Sequence, residues 1–466
     1  MTSPSLLADV GEATYDLMAP HSVRELLRRV LPRLVENGDF HDVRVDRCWP
    51  IGLPQPSGFA MEWSFSTRGR RFSVYGELDG RRKRHSAGRA CRGESARPHL
   101  TADGLRSLDF RVNGSSLTLR SPDQDALLPQ LSVCLDSRIM SDRLAAFGLR
   151  GGGGGPASVR FRCRLGGYRP GRRATMRFGR GPASGQGSHL CGKTFRDGRG
   201  RPLIEQHLRI SEELRRACGG RVRVPSPVGF DEELGLALFA WMPGRRGESL
   251  IAAQESVLDA AAEALSVLHE LPPQDRPEFS AEDEQLIVDR WRRVIERLLP
   301  EAATDAQSLA ALLADASKHV RRLDVATIHR DFYEKQIILS SNCITVLDLD
   351  TLACGDAAVD LGNFAAHLLL RVLVSGRTRQ EHQALVDRFL SVYEQRRGKT
   401  DPFQLSYYTA SSLFRLGAVH SLRTATSGFR EALWDAARRQ LEYGADSSRA
   451  TRGARLPHRV IMGKAV

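Results

Sequence analysis

Lysine is scarce in this sequence. Of 68 basic residues only six are lysines, at positions 83, 193, 318, 335, 399 and 464. Arginine carries the rest, and with abundant alanine and glycine this is the signature of a GC-rich genome. The eight cysteines form no C-x-x-C pair, which argues against a zinc module and against a disulfide framework. Long apolar runs are also missing. "LLLRVLV" at 368–374 falls far short of the ~20 residues that cross a bilayer, so no membrane partner is expected. The opening residues, "MTSPSLLADVGEATYDLM", have no basic start followed by an apolar core. No secretory leader is expected from them, and a reducing cytoplasm is the expected location.

What is present is 41% hydrophobic and 26% charged residues over 466 positions, the composition of a globular chain of two to four domains. The formal charge of +13 and pI of about 9.7 admit a polyanionic partner. The run "RRKRH" at 81–85 is the one candidate nucleic-acid patch, and it reads as a solvated loop. A nucleic-acid partner is therefore not expected.

Apolar spacing predicts a helix over 21–37, broken or kinked at Pro32. Alternation predicts a hairpin over 58–78, and periodicity is lost over 79–107, a flexible excursion. Residues 116–137 read as strand, turn and short helix. The five glycines of "RGGGGGPAS" (150–158) form the clearest linker-like stretch. Three short strands follow over 158–195, then a helix over 201–217 and an apolar strand over 234–244 leading into a turn. From Gly247 the pattern is mostly helical. A β-rich piece ahead of a helical one gives two lobes with a cleft between them, where ligands usually bind.

The exception to the helical pattern is "ATIHRDFYEKQIILSSNCITVLDLDTLACGDAAVDLGNF", residues 326–364. Asp331 and Asp348 each follow an apolar run, where a core alone would not place a charge. Phosphoryl transfer needs a group to orient the acceptor hydroxyl, oxygen ligands for Mg²⁺, a cation on the α/β-phosphates and a slot for adenine. The pattern H-R-D-x-x-x-x-N supplies a base and a metal amide from one loop, and an Asp after the next strand supplies a second ligand. Here His329 and Asp331 are followed by Gln336, and Asp348 stands seventeen residues beyond Asp331. "IIL" and "ITVL" around "SSN" form a hairpin that returns Asp348 beside Gln336.

These residues resemble the aminoglycoside phosphotransferase and choline-kinase-like small-molecule kinases. That family's pattern runs H-G-D-x-x-x-x-N, then hydrophobic-I-D-W-D/E, then G-D-P-x-x-D-L. "IHRDFYEKQ", "VLDLD" and "GDAAVDLGNF" follow in the same order. "ALSVLHEL" (264–271) is similar to the family's LAxLHxL helix, and "LALFAWMPGRR" (236–246) to its hinge segment. The resemblance covers about residues 158–445. It implies an α+β, bilobal protein-kinase-like fold with a small β-rich N-lobe and a large helical C-lobe, to which this chain adds an N-terminal α/β segment. It implies ATP and Mg²⁺, with catalysis by Asp331 in a loop shared with His329. Gln336 and Asp348 would hold the metal, Asp360 would brace the loop, and the backbone of Ala240, Trp241 and Met242 would contact adenine. The expected divisions are 1–150 (role unassigned), 151–244 (N-lobe and hinge), 245–448 (C-lobe) and 449–466 (a flexible basic tail).

Lysine scarcity points to the phosphate contact. Lys193, in "CGKTF", is the only lysine between Lys83 and Lys318, and retaining it among arginines suggests that a compact charge is required. The family's strand lysine pairs with a helix glutamate. Glu205 is the nearest candidate, with Glu212 and Glu213 beyond it.

The sequence departs from the family pattern in three places. Gln336 replaces asparagine, moving the carbonyl by one methylene at a metal strict about distance. Arg330 replaces glycine, where an ion pair inside the lobe is expected. No G-x-G-x-x-G covers the phosphates; "LGGYRPGRR" (165–173) stands there instead, and its Gly166, Gly167 and arginines are expected to cover the nucleotide.

The expected partner is a small-molecule hydroxyl acceptor, and the oligomeric state is open. Polycationic aminoglycosides would need an acidic cleft. Residues 245–328 carry 16 acidic and 10 basic side chains and residues 355–466 carry 10 and 17, which leaves the acceptor open. "EFSAEDE" (278–284) is the one acidic run suited to face a cation, although most such runs are solvated helix surface. Tyr407, Tyr408 and Phe414 read as packing residues. A rival reading is a pseudokinase, a nucleotide-binding or scaffold module whose glutamine spoils the metal site. A protein kinase is disfavoured by "DLD" in place of D-F-G and by the lack of A-P-E.

Overall fold

The structure is a computed structural model. It describes residues 20–30, 41–51, 58–67, 70–79, 100–101, 104–105, 108–112, 115–120, 122–147, 161–180, 189–247, 256–321, 324–423 and 427–454. Pro32, the run at 81–85, the glycine run and the end of the basic tail lie outside these.

Helix α1 (Pro20–Val30) precedes an antiparallel sheet of β1 (His41–Ile51), β2 (Gly58–Thr67), β3 (Arg70–Asp79), β6 (Leu108–Val112) and β7 (Ser115–Arg120). A two-stranded ladder, β4 (Leu100–Thr101) with β5 (Gly104–Leu105), stands apart from it. The sheet order is β1-β2-β3-β7-β6. The expected hairpin is β2–β3, in register from Gly58↔Asp79 to Thr67↔Arg70. Phe59, Met61, Trp63 and Phe65, two residues apart along β2, are all buried, as one core-facing side of a strand requires.

Residues 122–147 pack on the small lobe that follows. Helices α2 (Leu131–Leu135) and α3 (Ser137–Ala146) bury Leu131, Cys134, Met140 and Leu144 against Phe161, Met176, Phe178 and Leu238. Asp125 Oδ2 accepts from Tyr168 Oη at 2.7 Å and from the Gly171 N–H at 2.6 Å. This ties the segment to the turn between β8 (Phe161–Arg169) and β9 (Arg173–Arg180). Gly171 sits in that turn at φ 64°, where a side chain costs about 1 kcal/mol or more. Tyr75 of β3 meets Tyr168 edge-on, with centroids 4.8 Å apart.

The small-lobe sheet runs β12-β13-β10-β9-β8, with β10 (His189–Phe195), β12 (Pro227–Asp231) and β13 (Leu236–Ala240). Lys193 lies on the central strand, opposite Thr175 and Ala237. Leu190, Gly192 and Thr194 on β10 are buried, so alternation turns Lys193 to the other face. That face carries helix α4 (Gly200–Cys218), which buries Leu203, His207, Ile210 and Leu214 at helical spacing.

The chain leaves the small lobe through Trp241–Gly244. A Cβ on Gly244 would stand 2.5 Å from the Leu339 carbonyl oxygen, so the crossing lies directly against the sheet β11-β17-β16-β14. This sheet comprises β11 (Val222–Arg223), β14 (Arg245–Arg246), β16 (Ile337–Leu339) and β17 (Ile344–Val346). Below it lie α5 (Ser256–Glu270), α6 (Ala281–Leu298), α7 (Ala303–Ser317), α8 (Ala358–Ser375), α9 (Arg379–Arg397), α10 (Pro402–Ser421) and α11 (Arg430–Ala454). A short ladder joins β15 (Val325–Ile328) to β18 (Ala353–Asp356). The result is the α+β, bilobal arrangement of a β-rich small lobe and a helical large lobe.

The run at 368–374 belongs to α8, an 18-residue helix long and apolar enough by composition to cross a bilayer, though 67% of it is buried within the protein. Its apolar residues, Leu361, Phe364 and Leu368 among them, belong to the large-lobe core. The acidic run 278–284 forms the segment leading into α6 and its first turn. Ser280 and Asp283 form a capping box, and buried Glu284 accepts from Ser411 Oγ at 2.8 Å. Tyr407 and Phe414 are fully buried, whereas Tyr408 also borders the cleft.

Candidate active site

Strand β15 delivers His329, Arg330 and Asp331 to the base of the cleft. The buried Asp360 carboxylate, at the start of α8, accepts from the backbone N–H of His329 and of Arg330, each at 2.6 Å. His269 Nε2 donates to the same carboxylate at 3.1 Å, and the other ring nitrogen of His269 accepts from Tyr393 Oη at 2.7 Å. Burial pushes the Asp360 carboxyl up, but the hydrogen bond from His269 and that from the His329 backbone N–H outweigh it and hold it low. The helix of "ALSVLHEL" thus supplies the brace beneath the loop.

His329, expected among the catalytic residues, is fully buried. Its Nε2–H donates to the Leu347 carbonyl at 2.8 Å, and its Nδ1 accepts from the Asp331 N–H at 3.3 Å. Both nitrogens are engaged by backbone, so His329 positions Asp331 and is not available to move a substrate proton. Arg330 also corrects an expectation. It adopts φ 70°, the left-handed conformation that favours glycine, and lays its guanidinium 3.8 Å over the Phe279 ring, with no ion pair to it among the described residues.

Asp331 opens onto the cleft. Burial raises its carboxyl above the ordinary value, partly offset by Arg415. The β16–β17 hairpin returns the chain as the sequence implied: the Leu347 N–H donates to the Gln336 carbonyl at 2.8 Å, which sets Asp348 beside Gln336. Asp348 has φ 57°.

Lys193 reaches these acids from the other lobe. Its Nζ lies 2.8 Å from Asp348 Oδ1 and 2.8 Å from Asp350 Oδ1. Arg173 pairs with Asp350 as well and stands 3.8 Å from Asp348. Burial raises the Asp348 carboxyl, but Lys193 and Arg173 outweigh this and hold it well below the carboxylate range. The expected glutamate partner is not found. Glu205 is exposed, Glu212 pairs with Arg215 and Arg216, and Glu213 pairs with Arg276. Helix α4 contributes Gln206 instead, which donates to the Leu349 carbonyl at 2.6 Å. Asp350 is the second acid of "VLDLD", so its signal lay in the quoted motif.

The oxygens of Asp348 and Asp350 converge on a cation, and hard oxygen is the donor type Mg²⁺ takes. Among the described residues no three His, Cys, Asp or Glu side chains gather into a metal cluster; the carboxylates of Asp348 and Asp350 line the cleft and are donors of the type the ion takes, whereas the Gln336 side chain is buried and is not among the cleft-lining residues.

In the hinge, the Ala240 N–H donates to the Ser226 carbonyl at 2.9 Å and the Trp241 N–H to that of His189 at 3.1 Å. Met242 N–H has no backbone partner among the described residues. Gly166 and Gly167 do not form the phosphate-facing turn. They lie within β8 at a register shift, and Arg169, Gly171, Arg172 and Arg173 line the cleft in their place.

The cleft has a volume of about 620 Å³ between this hairpin, α6, α8 and α10, and eleven arginine or lysine side chains line it against five carboxylates. Sequence reasoning missed this charge, because the arginines are scattered from Arg169 to Arg423 with no local motif.

Residues 177–402 match the APH phosphotransferase enzyme family. It is the family the residues of the catalytic segment resemble. Among solved structures, the chain is similar to a choline/ethanolamine kinase family protein from Mesorhizobium loti (16% identity, 68% of this chain and 98% of that one, TM-score 0.45). It is similar to a putative aminoglycoside phosphotransferase from Ralstonia eutropha (16%, 66% and 98%, TM-score 0.46). A choline kinase from Cryptosporidium parvum is also similar (10%, 68% and 97%, TM-score 0.42). No curated protein matches the chain.

Proposed function

We propose that this protein is an ATP-dependent phosphotransferase that moves the γ-phosphoryl group to a hydroxyl of a small molecule. The observation that carries the reading is Lys193 meeting Asp348 and Asp350 in the cleft onto which Asp331 opens. The family match over 177–402 supports it.

In this reading the Met242 N–H and the neighbouring hinge backbone bind adenine, and Lys193 holds the α/β-phosphates. Asp348 and Asp350 would hold Mg²⁺, which when bound supplies positive charge beside the phosphate oxygens. Asp331 accepts the acceptor's hydroxyl proton, and the raised affinity of its carboxylate for a proton suits that task. The acceptor oxygen bonds to the γ-phosphorus as the bond to the β,γ-bridging oxygen breaks, and that electron pair leaves with ADP. His329 and Asp360 hold Asp331 in place and touch no reacting atom.

Incubating the full chain with Mg²⁺, ATP and panels of hydroxyl acceptors tests this. Phosphorylated product with wild type and a loss of at least ~10²-fold with Asp331→Ala is the expected result. Transfer unchanged in Asp331→Ala removes the role given to that residue. Nucleotide binding without transfer to any acceptor returns the protein to the binding-module reading.

A further inference from the structure

The cleft's charge suits an anion. Eleven cationic side chains face five carboxylates, and two of those five, Asp348 and Asp350, already meet Lys193. Nucleotide phosphates account for the small-lobe arginines. They do not account for Arg290 of α6, Arg415 of α10 or Arg423, which line the large-lobe side.

Among the described residues none of these three forms an ion pair with a carboxylate. Arg415 donates to the Asn363 amide oxygen at 2.5 Å, and its buried Nε has no partner. Arg423 stands 3.5 Å from His420 Nε2, with Asp46 and Glu62 acting on it only at longer range. Burial, then Arg172, lowers Arg290 below its ordinary value, and burial, then Arg47, does the same to Arg423. Cations destabilised in this way lack a counter-charge, and a bound anion supplies one. Arg415 and Asp331 line the same cleft, and the Arg415 charge lowers the Asp331 carboxyl, so the counter-charge belongs on the side of the reacting hydroxyl. A polycationic acceptor would meet repulsion on this side.

We propose that the acceptor is an anion: a small hydroxylated compound bearing a phosphate or carboxylate group, held by Arg290, Arg415 and Arg423 with its hydroxyl toward Asp331. This rests on the phosphotransfer reading and narrows it. The transfer is unchanged: the acceptor's O–H proton passes to Asp331, its oxygen takes the phosphoryl group, and ADP leaves with the bridging electron pair.

The test uses the full chain with MgATP and matched acceptors. Glucose 6-phosphate, glucose and glucosamine form one set; glycerate, glycerol and ethanolamine form the other. The first set reads preference for phosphate, the second for carboxylate. In at least one set the anion is expected to exceed its neutral analogue ten-fold or more in kcat/KM, with the amine poorest. Arg415→Gln and, separately, Arg423→Gln are expected to raise the anion's KM at least ten-fold while moving the KM for ATP less than two-fold. Preference for the neutral or cationic member in both sets overturns the proposal and leaves phosphotransfer standing. If no compound turns over, calorimetry on protein loaded with AMP-PNP and Mg²⁺ decides. Binding of glucose 6-phosphate or glycerate that is lost in both variants supports the anion site, and no binding of either overturns it. Failure to bind AMP-PNP at all overturns the phosphotransfer reading itself.

Discussion

The Lys193 ammonium stands equidistant, at 2.8 Å, from one oxygen of Asp348 and one of Asp350, joining the central strand of the small lobe to the hairpin of the large one. Removing it with Lys193→Met leaves the two carboxylates with Arg173. Because Asp348 keeps 27% of its side-chain exposure, the expected loss is about 2 kcal/mol, less than the ~3–5 kcal/mol of a fully buried pair. Phosphoryl transfer should fall at least ~10²-fold. Mg²⁺ should raise the Tm of the variant more than that of wild type, since the oxygens there lack their cation. Thermal denaturation with and without Mg²⁺ checks this, and equal shifts would count against a shared cation site.

Asp331 predicts an acid limb in the pH profile. Its folded carboxyl is raised, chiefly by burial, so the base is lost as pH falls through a value above the ordinary carboxylate range. Arg415 lowers that value; Arg415→Gln should therefore move the limb of kcat/KM to higher pH. The same shift sets a stability sign. A carboxylate whose folded pKa is raised favours the fold only below its unfolded pKa, and opposes it as pH rises through the folded value. Asp331→Asn should thus raise Tm at pH 7 while abolishing transfer. A variant with lower Tm at neutral pH and an unchanged limb in Arg415→Gln would contradict both signs.

Much of this site is local enough to read in the chain. Asp331 and Asp348 fall on one loop and one hairpin, so a short pattern of apolar runs and polar ends brings both to the cleft. Asp360 follows on the next helix. The partners of Lys193 are different in kind, because a lysine on one lobe can meet any acid the other lobe presents. Chain proximity favoured Glu205, but α4 turns that side chain outward. The basic cleft wall is less legible still: Arg169, Arg290, Arg415 and Arg423 come from three separate segments, β8, α6 and α10 with the turn after it, and in a chain with so many arginines nothing local marks the ones that face inward. Arg330 is the reverse case, since a position held by glycine in the family carries a backbone requirement that the sequence alone does not display.

Asp360 should behave as a structural acid. It is fully buried, accepts two backbone N–H groups and His269, and its folded pKa is depressed. Its contribution is complete above the unfolded carboxylate value and fades as pH falls through the folded one. Asp360→Ala strands two buried N–H donors, each worth about 1–3 kcal/mol, so a loss of about 3 kcal/mol is expected at pH 7, with a smaller loss below pH ~4. Urea denaturation at the two pH values measures the difference. A loss independent of pH would mean the carboxylate charge is not what the loop uses.

Arg330 separates backbone strain from side-chain contact. At φ 70° any L-residue but glycine pays about 1–2 kcal/mol, while the guanidinium over Phe279 at 3.8 Å returns about 1 kcal/mol. Arg330→Ala loses the contact and keeps the strain. Arg330→Gly loses both, at the expense of added freedom in the unfolded chain. The glycine variant should therefore be the more stable of the two by about 0.5–1 kcal/mol, and Phe279→Leu should cost wild type more than it costs either variant. Equilibrium unfolding of the set decides the matter: an alanine variant at least as stable as the glycine one would show that the left-handed turn at position 330 carries no strain, and that stacking on Phe279 alone explains why arginine stands there.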